Sequence, residues 1–361
     1  MTVTTIEQLR IPETLDGDAA ADFHQAVEVS RQVRIKTWGN DKLAYTAEEL
    51  FDQCHDTFEW YVVLIARRGG EILGLAGIAL PLDDNTDMAH VTLDVLPSAE
   101  GLGLGRKLLE AAELFVKGEN RKIVMVETSH QSSTLDDADT EVIPASRGGG
   151  SLPLSSREAR FAYNAGYDLE RVEQFSVCAL PLPVGLSAVL TERATAAHEH
   201  KYRVHQWMDR CPESWAQDIV RLEQEIEGEG DGNPEVAWDV ARLREAEEIS
   251  MLTGRHTLVS AAECVEAGVL VGLTSISILG NRGDVAFQDD SFVEQAHRGK
   301  DVGLHIQTAN LEHLMREFPQ LDAIYTWNAP EKEYMRSVNE MLGFVNAGVT
   351  GQWRKDFNSI G

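Results

Sequence analysis

Apolar residues along the chain alternate between a helical and a strand spacing, and the order of these changes occurs twice. In the first half, the capping-box pattern from Thr46 to Glu49 marks a helix start, and the turn Arg67–Gly70 joins two apolar runs as in a hairpin. The pattern predicts strand, two helices, three strands, helix, strand, helix and strand at residues 6–12, 19–38, from 46, 60–66, 71–80, 89–96, 104–115, 121–130, 156–165 and 170–180. The polar, glycine-rich stretch 131–153 is expected to be a mobile loop.

The same order of elements begins again near Tyr202. The second series is predicted at residues 201–208, 213–228, 235–254, 256–265, 268–279, 284–293, 303–318, 321–329 and 331–344, followed by a closing strand. Two copies of one α/β module account for this repetition. We therefore expect an N-terminal module at 1–182, a linker at 183–200 and a C-terminal module at 201–361.

Each copy contains a strand, a glycine-containing turn and a helix in direct succession. These stretches read VLPSAEGLGLGRKLLEAAEL from Val95 and FVEQAHRGKDVGLHIQTANL from Phe292. Free backbone N–H groups and the helix dipole make such a turn a site for anions, and glycine lets a phosphate approach the backbone. A pyrophosphate-bearing ligand is therefore expected at one or both turns.

Two familiar phosphate-binding patterns fit these turns poorly. The stretch GLGLGR has Arg106 where a dinucleotide fingerprint needs its third glycine, and it follows three earlier strands. The stretch GKDVGL lacks the Gly-Lys-Ser/Thr of a P-loop. Neither a Rossmann nor a P-loop site is favoured.

The turns resemble those of the GNAT superfamily of acetyl-CoA-dependent N-acetyltransferases. The family pattern is a strand ending V-x-P-x-x-R/Q-x-x-G-x-G/A before a helix. The second turn has its Val, Arg and final Gly, with Gln295 replacing Pro and Asp301 replacing a Gly; the first has Pro97 and the glycines, with Glu100 in the Arg/Gln place. The closing family pattern is present as WNAPEKEYMRSVNEMLGF and, degenerate, as SREARFAYNAGY.

This resemblance covers nearly the whole chain and implies an α/β fold of the α+β type. Each of two tandem modules would have a mixed, largely antiparallel sheet flanked by helices. It implies acetyl-CoA as co-substrate, with no metal. The implied cofactor-binding residues are Phe292, Val293, Glu294, Gln295, Arg298, Gly299, Lys300, Asp301, Val302, Gly303, Leu304 and Asn328, and in the first module Val95, Gly101, Gly103, Gly105 and Arg106.

A general base in such enzymes usually lies upstream on the strand before the turn. Counting back by twos from Val293 places Asp289 towards the amine if the strand is regular, whereas a bulge would present Asp290. Both aspartates could equally be solvated strand residues. The same count in the first module meets only apolar residues.

The family often has a tyrosine that protonates the leaving thiolate four residues before the final glycine. Asn339 stands there, and it can donate a hydrogen bond but no proton. Tyr334 is a substitute candidate, or else an ordinary residue of an amphipathic helix. Asn328 matches a residue that contacts the pantetheine arm, and it could also cap the next helix.

Composition narrows the partners. The 59 acidic and 32 basic residues give a formal charge of −27, which disfavours nucleic acid and anionic membranes and suits a cationic amine. The four cysteines are widely spaced, and the sequence has no signal-like N-terminus and no long apolar run. These features are typical of a cytoplasmic protein. We expect it to be a monomer or a homodimer.

We therefore expect an N-acetyltransferase that moves an acetyl group from acetyl-CoA to a primary amine of a small molecule or peptide by direct attack. The C-terminal module is expected to be catalytic, and the N-terminal one degenerate. The alternative is a non-catalytic acyl-CoA-binding sensor or scaffold.

Overall fold

The chain divides into two compact units. The computed structural model describes residues 3–83, 85–134, 141–186, 188–190, 192–193, 201–229, 238–329 and 333–358. One unit comprises residues 1–174, 329–331 and 347–361, and the other comprises 175–328 and 332–346. The module boundaries drawn from the sequence follow element order rather than packing, and they stay a prediction.

The first series of elements starts in the first unit and ends where its last strand enters the second. Its members are β1 (Thr4–Gln8), α1 (Ala21–Trp38), α2 (Ala47–Gln53), β2 (Glu59–Arg68), β3 (Glu71–Pro81), β4 (Met88–Val95), α3 (Leu104–Gly118), β5 (Ile123–Gln131), β6 (Val142–Pro144), β7 (Ser151–Pro153), α4 (Arg157–Asn164) and β8 (Asp168–Ala179). The predicted capping box at the start of α2 is present, with Thr46 and Glu49 bonded reciprocally.

The second series repeats this order. Its members are β9 (Tyr202–Met208), α5 (Ala216–Glu229), α6 (Val240–Leu252), β10 (His256–Cys264), β11 (Val269–Ile278), β12 (Val285–Val293), α7 (Val302–Glu317), β13 (Ala323–Asn328), α8 (Glu333–Met341) and β14 (Val345–Asp356). The predicted α/β class and the repeated element order are confirmed.

Both units are built on a mixed sheet. In the first unit the strand order is β1-β2-β3-β4-β5-β14-β8, and in the second it is β8-β13-β12-β11-β10-β9. Only the β4–β5 pair and the β12–β13 pair are described as parallel; the other registers described are antiparallel. The sheets are therefore largely antiparallel, as predicted.

Helices cover both faces of each sheet. In the first unit, one core lies under α3 around Leu108 and Val124, and another lies under α1 around Phe23 and Leu75. In the second unit, Leu304 and Leu311 of α7 pack on one face, and Leu222 of α5 packs on the other. The carboxyl groups of the candidate site lie on the faces under α1 and α5.

The last strand of the chain belongs to the first unit. Strand β14 pairs with β5 from Gly348 opposite Gln131 to Asp356 opposite Ile123. Trp353 is fully buried there and donates a hydrogen bond from Nε1 to Thr128 Oγ1 at 2.8 Å. The first unit therefore has its full set of strands only when the C-terminal strand is present.

The expectation of a mobile loop over residues 131–153 is wrong for its second part. Strands β6 and β7 pair as a small antiparallel sheet, and Ile143 and Leu152 are buried in the core under α3. These apolar side chains anchor a segment whose composition is otherwise polar. Residues 135–140 of the stretch lie outside the described residues.

Candidate active site

Strands β12 and β13 pair at their beginnings and then separate. The parallel register runs from Val285 opposite Ala323 to Phe287 opposite Tyr325 and stops there. Beyond Phe287, no residue of β12 is in ladder register with β13 in the described part of the chain. The separation leaves a cleft into which the backbone N–H groups of β12 can point.

A bulge interrupts β12 at the start of this cleft. Ser291 lies opposite Thr274 and Gln288 lies opposite Ile276, so the two aspartates between them face a single residue of β11, Ser275. Such a bulge bends a strand and redirects its side chains. The structure therefore has the bulged form of the strand, for which the sequence predicted that Asp290 rather than Asp289 faces the amine.

The side chain of Gln288 occupies the bulge. Its Nε2 donates to Ser275 O at 2.7 Å and to Thr274 Oγ1 at 2.9 Å, and the Thr274 and Ser291 hydroxyls are 2.6 Å apart. Gln288 and Thr274 are both buried. A carbonyl that the bulge removes from the ladder is thus satisfied by a side chain, which fixes the bulge in place.

Asp289 lies on the face of the sheet under α5. Phe287 is directly opposite Ser277, and the Ser277 side chain hydrogen-bonds the Asp289 carboxylate. Burial raises the pKa of Asp289 to about 6, although the Ser277 hydrogen bond and the Arg255 charge act to lower it. Solvent reaches the side chain, yet protein surrounds it, as expected for a group on the floor of an open cleft.

Helix α5 brings more carboxylates to the same place. Burial, followed by the charges of Asp290 and Glu227, raises the pKa of Glu223 to about 7. One oxygen of Glu227 is buried without a hydrogen-bond partner among the described residues. Several carboxyl groups are therefore gathered next to the bulge.

Aromatic rings form another wall beside Asp289. The ring of Phe287 stacks on Trp327 at 6.4 Å, and Phe175 lies 4.8 Å from Trp327 and 5.4 Å from Tyr325. Aromatic faces and carboxylates together suit an alkylammonium group, because both attract a cation. The sequence gives little signal for this wall, because its rings come from three different strands, β8, β12 and β13.

The turn after β12 has the conformation that an anion site needs. A single 3₁₀ turn at Gln295–His297 is followed by extended Arg298, and then by Gly299 at φ 72° and Asp301 at φ 55°. Both positive φ values lie in the left-handed region, which an aspartate adopts at some cost. The Asp301 side chain makes no capping hydrogen bond to the first turn of α7, so this residue does not occupy the N–H groups at the helix start.

The charged side chains of this turn are held by other parts of the second unit. Arg298 Nε donates to Val293 O at 2.7 Å with its guanidinium over the ring of Phe292, and Lys300 Nζ donates to Ala296 O at 2.8 Å. Glu294 pairs with Arg221 of α5. Arg298 thus tethers the strand end, and the phosphate contact that the resemblance implied for it stays a prediction.

Asp301, where the family has glycine, is paired with an arginine that precedes β9. Arg193 reaches Asp301 Oδ2 from Nε at 3.2 Å and from Nη2 at 3.3 Å. The pair partly cancels the negative charge that Asp301 brings to the turn. Arg193 was missed from the sequence because nothing in its neighbourhood marks it as part of this turn.

Tyr334 lies over the beginning of α7. A Cβ atom on Gly303 would meet the Tyr334 hydroxyl at 3.5 Å and Val293 Cγ2 at 3.7 Å. Burial, and then the charge of Asp301, raise the pKa of Tyr334. Val302 and Leu304 are buried core residues, so they position the turn through packing.

The two predicted asparagines differ in their surroundings. Asn339 is buried, and its Oδ1 has no hydrogen-bond partner among the described residues. Asn328 ends β13 and donates to Thr326 Oγ1 at 3.2 Å, while Thr326 donates to Gln288 O at 3.2 Å. Residues 330–332, where a cap for α8 would be judged, lie outside the described part of the chain.

The first unit repeats the turn almost unchanged. Glu100 has φ −66° and ψ 156° against −67° and 156° for Arg298, and Gly101 and Gly103 have φ 74° and 76°. The adjacent cofactor candidates Val95, Gly105 and Arg106 end β4 or begin α3. Backbone conformation is therefore retained where the sequences of the two turns differ.

Glu100, which would repel a phosphate if it were free, is neutralised. Burial alone would raise its pKa, but hydrogen bonds from Lys36 and Arg157 outweigh burial, and the pKa is lowered. The departure from the family pattern therefore does not leave an unpaired negative charge at this turn.

Comparison with known proteins agrees with this geometry. Residues 29–134 match the acetyltransferase (GNAT) family. A tandem GNAT protein from the clavulanic acid biosynthesis pathway has a TM-score of 0.72 and 19% identity, over 98% of this chain and 99% of that one. Residues 29–134 therefore match the GNAT family, and the whole chain has the fold of a tandem GNAT protein.

Two further solved structures have the same overall fold. A GCN5-related N-acetyltransferase from Sphaerobacter thermophilus has a TM-score of 0.62 at 15% identity, covering 98% of this chain and 96% of that one. An acetyltransferase from Pyrococcus horikoshii described as putative has a TM-score of 0.53 at 10% identity, covering 98% and 89%. No curated protein sequence matches the chain.

These findings confirm the predicted tandem GNAT fold, and the family match of residues 29–134 supports acyl transfer. The matched segment lies in the first unit, which the sequence had suggested was degenerate.

Other chemistry is sparse in the described residues. There, no three His, Cys, Asp or Glu side chains are grouped as a metal ion would require, and no helix is long and apolar enough to cross a membrane. Cys54, Cys178, Cys211 and Cys264 are all free thiols.

Proposed function

We propose that the protein is an N-acetyltransferase whose second unit transfers an acetyl group from acetyl-CoA to a primary amine by direct attack. The observation that carries this proposal is the Ser277 hydrogen bond, which keeps the Asp289 carboxylate on the face under α5 next to the separated strands. Cytoplasmic location, and a monomer or homodimer as the working form, are parts of the same proposal.

Asp289 is the proposed base. A carboxyl group with a pKa of about 6 is largely ionised at neutral pH, yet it is more basic than an ordinary aspartate. It can take a proton from an incoming ammonium, directly or through one water, so that the nitrogen lone pair becomes free to attack. Asp290, placed in the same bulge, adds negative charge and favours binding of the cation.

The second turn fits the pyrophosphate of acetyl-CoA. The uncapped start of α7 and the left-handed residues Gly299 and Asp301 present backbone N–H groups, and open space surrounds Gly299. Arg193 and Lys300 supply positive charge nearby. The part of β12 that has separated from β13, up to Val293, would hold the pantetheine amide and the oxyanion, as the family resemblance implies.

Tyr334 is placed to donate a proton to the leaving thiolate. Its raised pKa keeps the hydroxyl protonated at neutral pH, and it lies beside Gly303 and Val293. Asn339 is buried close to the end of α8, and its amide can donate a hydrogen bond to the thiolate but cannot give it a proton. Of the two, Tyr334 is therefore the proposed acid.

The acceptor is proposed to be a small-molecule or peptide amine that carries a positive charge. Carboxylates of Asp289, Asp290, Glu223 and Glu227 surround its binding place, and aromatic rings line one side. These groups would repel an anionic acceptor.

The test compares Asp289→Asn with wild type in a thiol-release assay with acetyl-CoA and a panel of primary amines. Loss of a positioned base predicts a fall in kcat of about 10²–10⁴-fold. Glu266→Gln, which changes an exposed carboxylate, serves as the control and is expected to retain full activity. Turnover that survives unchanged in Asp289→Asn would reject Asp289 as the base.

The alternative function, an acyl-CoA sensor or scaffold without turnover, is favoured by Asn339 and Asp301 at two family positions. Binding of acetyl-CoA by calorimetry, together with no thiol release for any amine of the panel, would support it over the enzyme.

A further inference from the structure

In the first unit, too, the two parallel strands of the sheet separate. Strand β4 pairs with β5 from Met88 opposite Ile123 to Val91 opposite Val126, and the described register stops there. Thr92 to Val95 stay paired with β3 only. The two strands thus separate as β12 and β13 do, before a turn of the same backbone conformation.

Glu127 is the first residue of β5 beyond the parallel pairing. It lies opposite Gln352 of β14, and Gln352 Nε2 donates to Glu173 at 3.1 Å, so these side chains share one face. The Glu127 side chain is exposed, and no described side chain donates a hydrogen bond to its carboxylate. It is therefore accessible at the mouth of the split.

A buried ion pair lies next to Glu127. Asp94 accepts a hydrogen bond from Ser30 at 2.7 Å and pairs with Arg34 at 3.0 Å, both from α1. Asp94 is opposite Leu75, a member of the core under α1, so it is on the acceptor face. Removing either charge would leave the other buried and uncompensated. The pair therefore holds α1 against β4 beside Glu127.

We infer that the first unit is a second acetyl-transfer site, in which Glu127 is the base that deprotonates a primary amine. The cleft is less acidic than that of the second unit, because Arg34 contributes a positive charge. The site would therefore take an amine with one positive charge, while the second unit suits acceptors with more than one.

The electrostatic setting of Glu127 matches this role. Burial raises its pKa to about 7, the charge of Arg34 lowers it and the charge of Glu173 raises it. Asp94 and Tyr45 are the other titratable groups that act on Arg34, the neighbour of Glu127. A base with this pKa is half ionised near neutral pH and still accepts a proton readily.

The proposed step balances. The Glu127 carboxylate accepts one proton of the ammonium, and the freed lone pair forms a C–N bond to the thioester carbonyl carbon of acetyl-CoA. The C–S bond then breaks, and the second proton lost by the nitrogen goes to the thiolate. The products are the N-acetylamine, the CoA thiol and a proton that Glu127 returns to water.

The sequence pointed away from this site because counting back from Val95 by twos meets Leu93, Val91 and Ala89. Val91 and Ala89 are buried in the core under α3, on the opposite face from Asp94. The base candidate is on the neighbouring strand instead, at the place that Trp327 takes in the second unit.

The test uses the full chain and the variants Glu127→Gln, Asp289→Asn and both together. Thiol release is measured with acetyl-CoA and propylamine, ethanolamine, spermidine and a lysine-containing peptide. For at least one monoamine we expect Glu127→Gln to lower kcat about 10²-fold or more. Glu110→Gln, on the exposed face of α3, is the matched control and is expected to be fully active.

Two readouts separate a base from a structural role. Turnover at this site should rise with pH through about 7 and then level off, since the base must be ionised, and Glu127→Asp should restore part of it. Calorimetry with acetyl-CoA should give two molecules bound per chain, in wild type and in Glu127→Gln alike.

The outcomes are distinct from those of the proposed function. If Glu127→Gln leaves every amine unaffected, or only one acetyl-CoA binds per chain, the inference is overturned while the second-unit proposal stands. If Glu127→Gln alone abolishes all turnover and Asp289→Asn changes none, the inference is supported and the proposed function is rejected.

Discussion

At the scale of single residues, both clefts contain a carboxyl group that solvent reaches but protein surrounds. Asp289 and Glu127 lie where a strand pair opens, and burial is the largest cause of the raised pKa of each. A group of this kind opposes folding when it is ionised, because the folded state holds its proton more tightly than the unfolded chain does. The chain keeps it for a reason other than stability.

The stability of Asp289→Asn should therefore depend on pH. The folded pKa of about 6 is above the ordinary aspartate value of 3.8. The stability of the wild type therefore falls as pH rises from 3.8 to about 6, and it stays lower at higher pH. We expect the variant to melt at a higher temperature than wild type at pH 8, with the difference vanishing near pH 4. Thermal unfolding followed by circular dichroism at both pH values measures this. A variant less stable than wild type at pH 8 would show that Asp289 contributes a stabilising bond.

At the scale of elements, the turn before α7 combines a strained residue with an opposing charge. Asp301 adopts φ 55°, which glycine would adopt without strain, and its ion pair with Arg193 is partly exposed. Asp301→Gly should therefore change the free energy of unfolding by no more than about 1 kcal/mol, because relief of strain offsets loss of the pair.

The same substitution should strengthen binding of acetyl-CoA at the second unit. It removes a negative charge from the turn and frees Arg193, so we expect the Kd to fall about 10-fold at low salt and less at high salt. Arg193→Ala is the matched control and should weaken binding instead. Calorimetry at two salt concentrations measures both variants, and weaker binding by Asp301→Gly would place the pyrophosphate elsewhere.

Periodicity was enough to predict the order of elements, because helices and strands differ in apolar spacing over many residues. It could not predict the bulge in β12, because the residues Gln288, Asp289 and Asp290 give no sign in the sequence that the strand is interrupted there. The bulge depends on bonds from Gln288 to β11, which only the folded sheet supplies. Glu127 was likewise missed because its role follows from which strands separate.

At the scale of the whole molecule, the position of β14 departs from what the repeated order suggests. The strand follows α8 in the chain, yet it pairs with β5 and completes the sheet of the first unit. Besides the Trp353 bond, Lys355 Nζ donates to Glu113 at 2.8 Å and to Ala165 O at 2.8 Å. Strand pairing of this kind leaves no mark on apolar spacing, so the sequence alone could not assign β14 to a unit.

Trp353→Ala should consequently destabilise the first unit, although residue 353 is close to the C-terminus. Removing a fully buried tryptophan costs about 3–5 kcal/mol, and here it also leaves the Thr128 hydroxyl without its indole partner. Hydrogen exchange followed by mass spectrometry should show lost protection in peptides from α3 and β5, with peptides from α5 and β10 much less affected. Val345→Ala, an exposed position at the start of the same strand, should leave both sets protected. Protection lost first in α5 and β10 would mean that β14 stabilises the second unit, as the order of the chain had suggested.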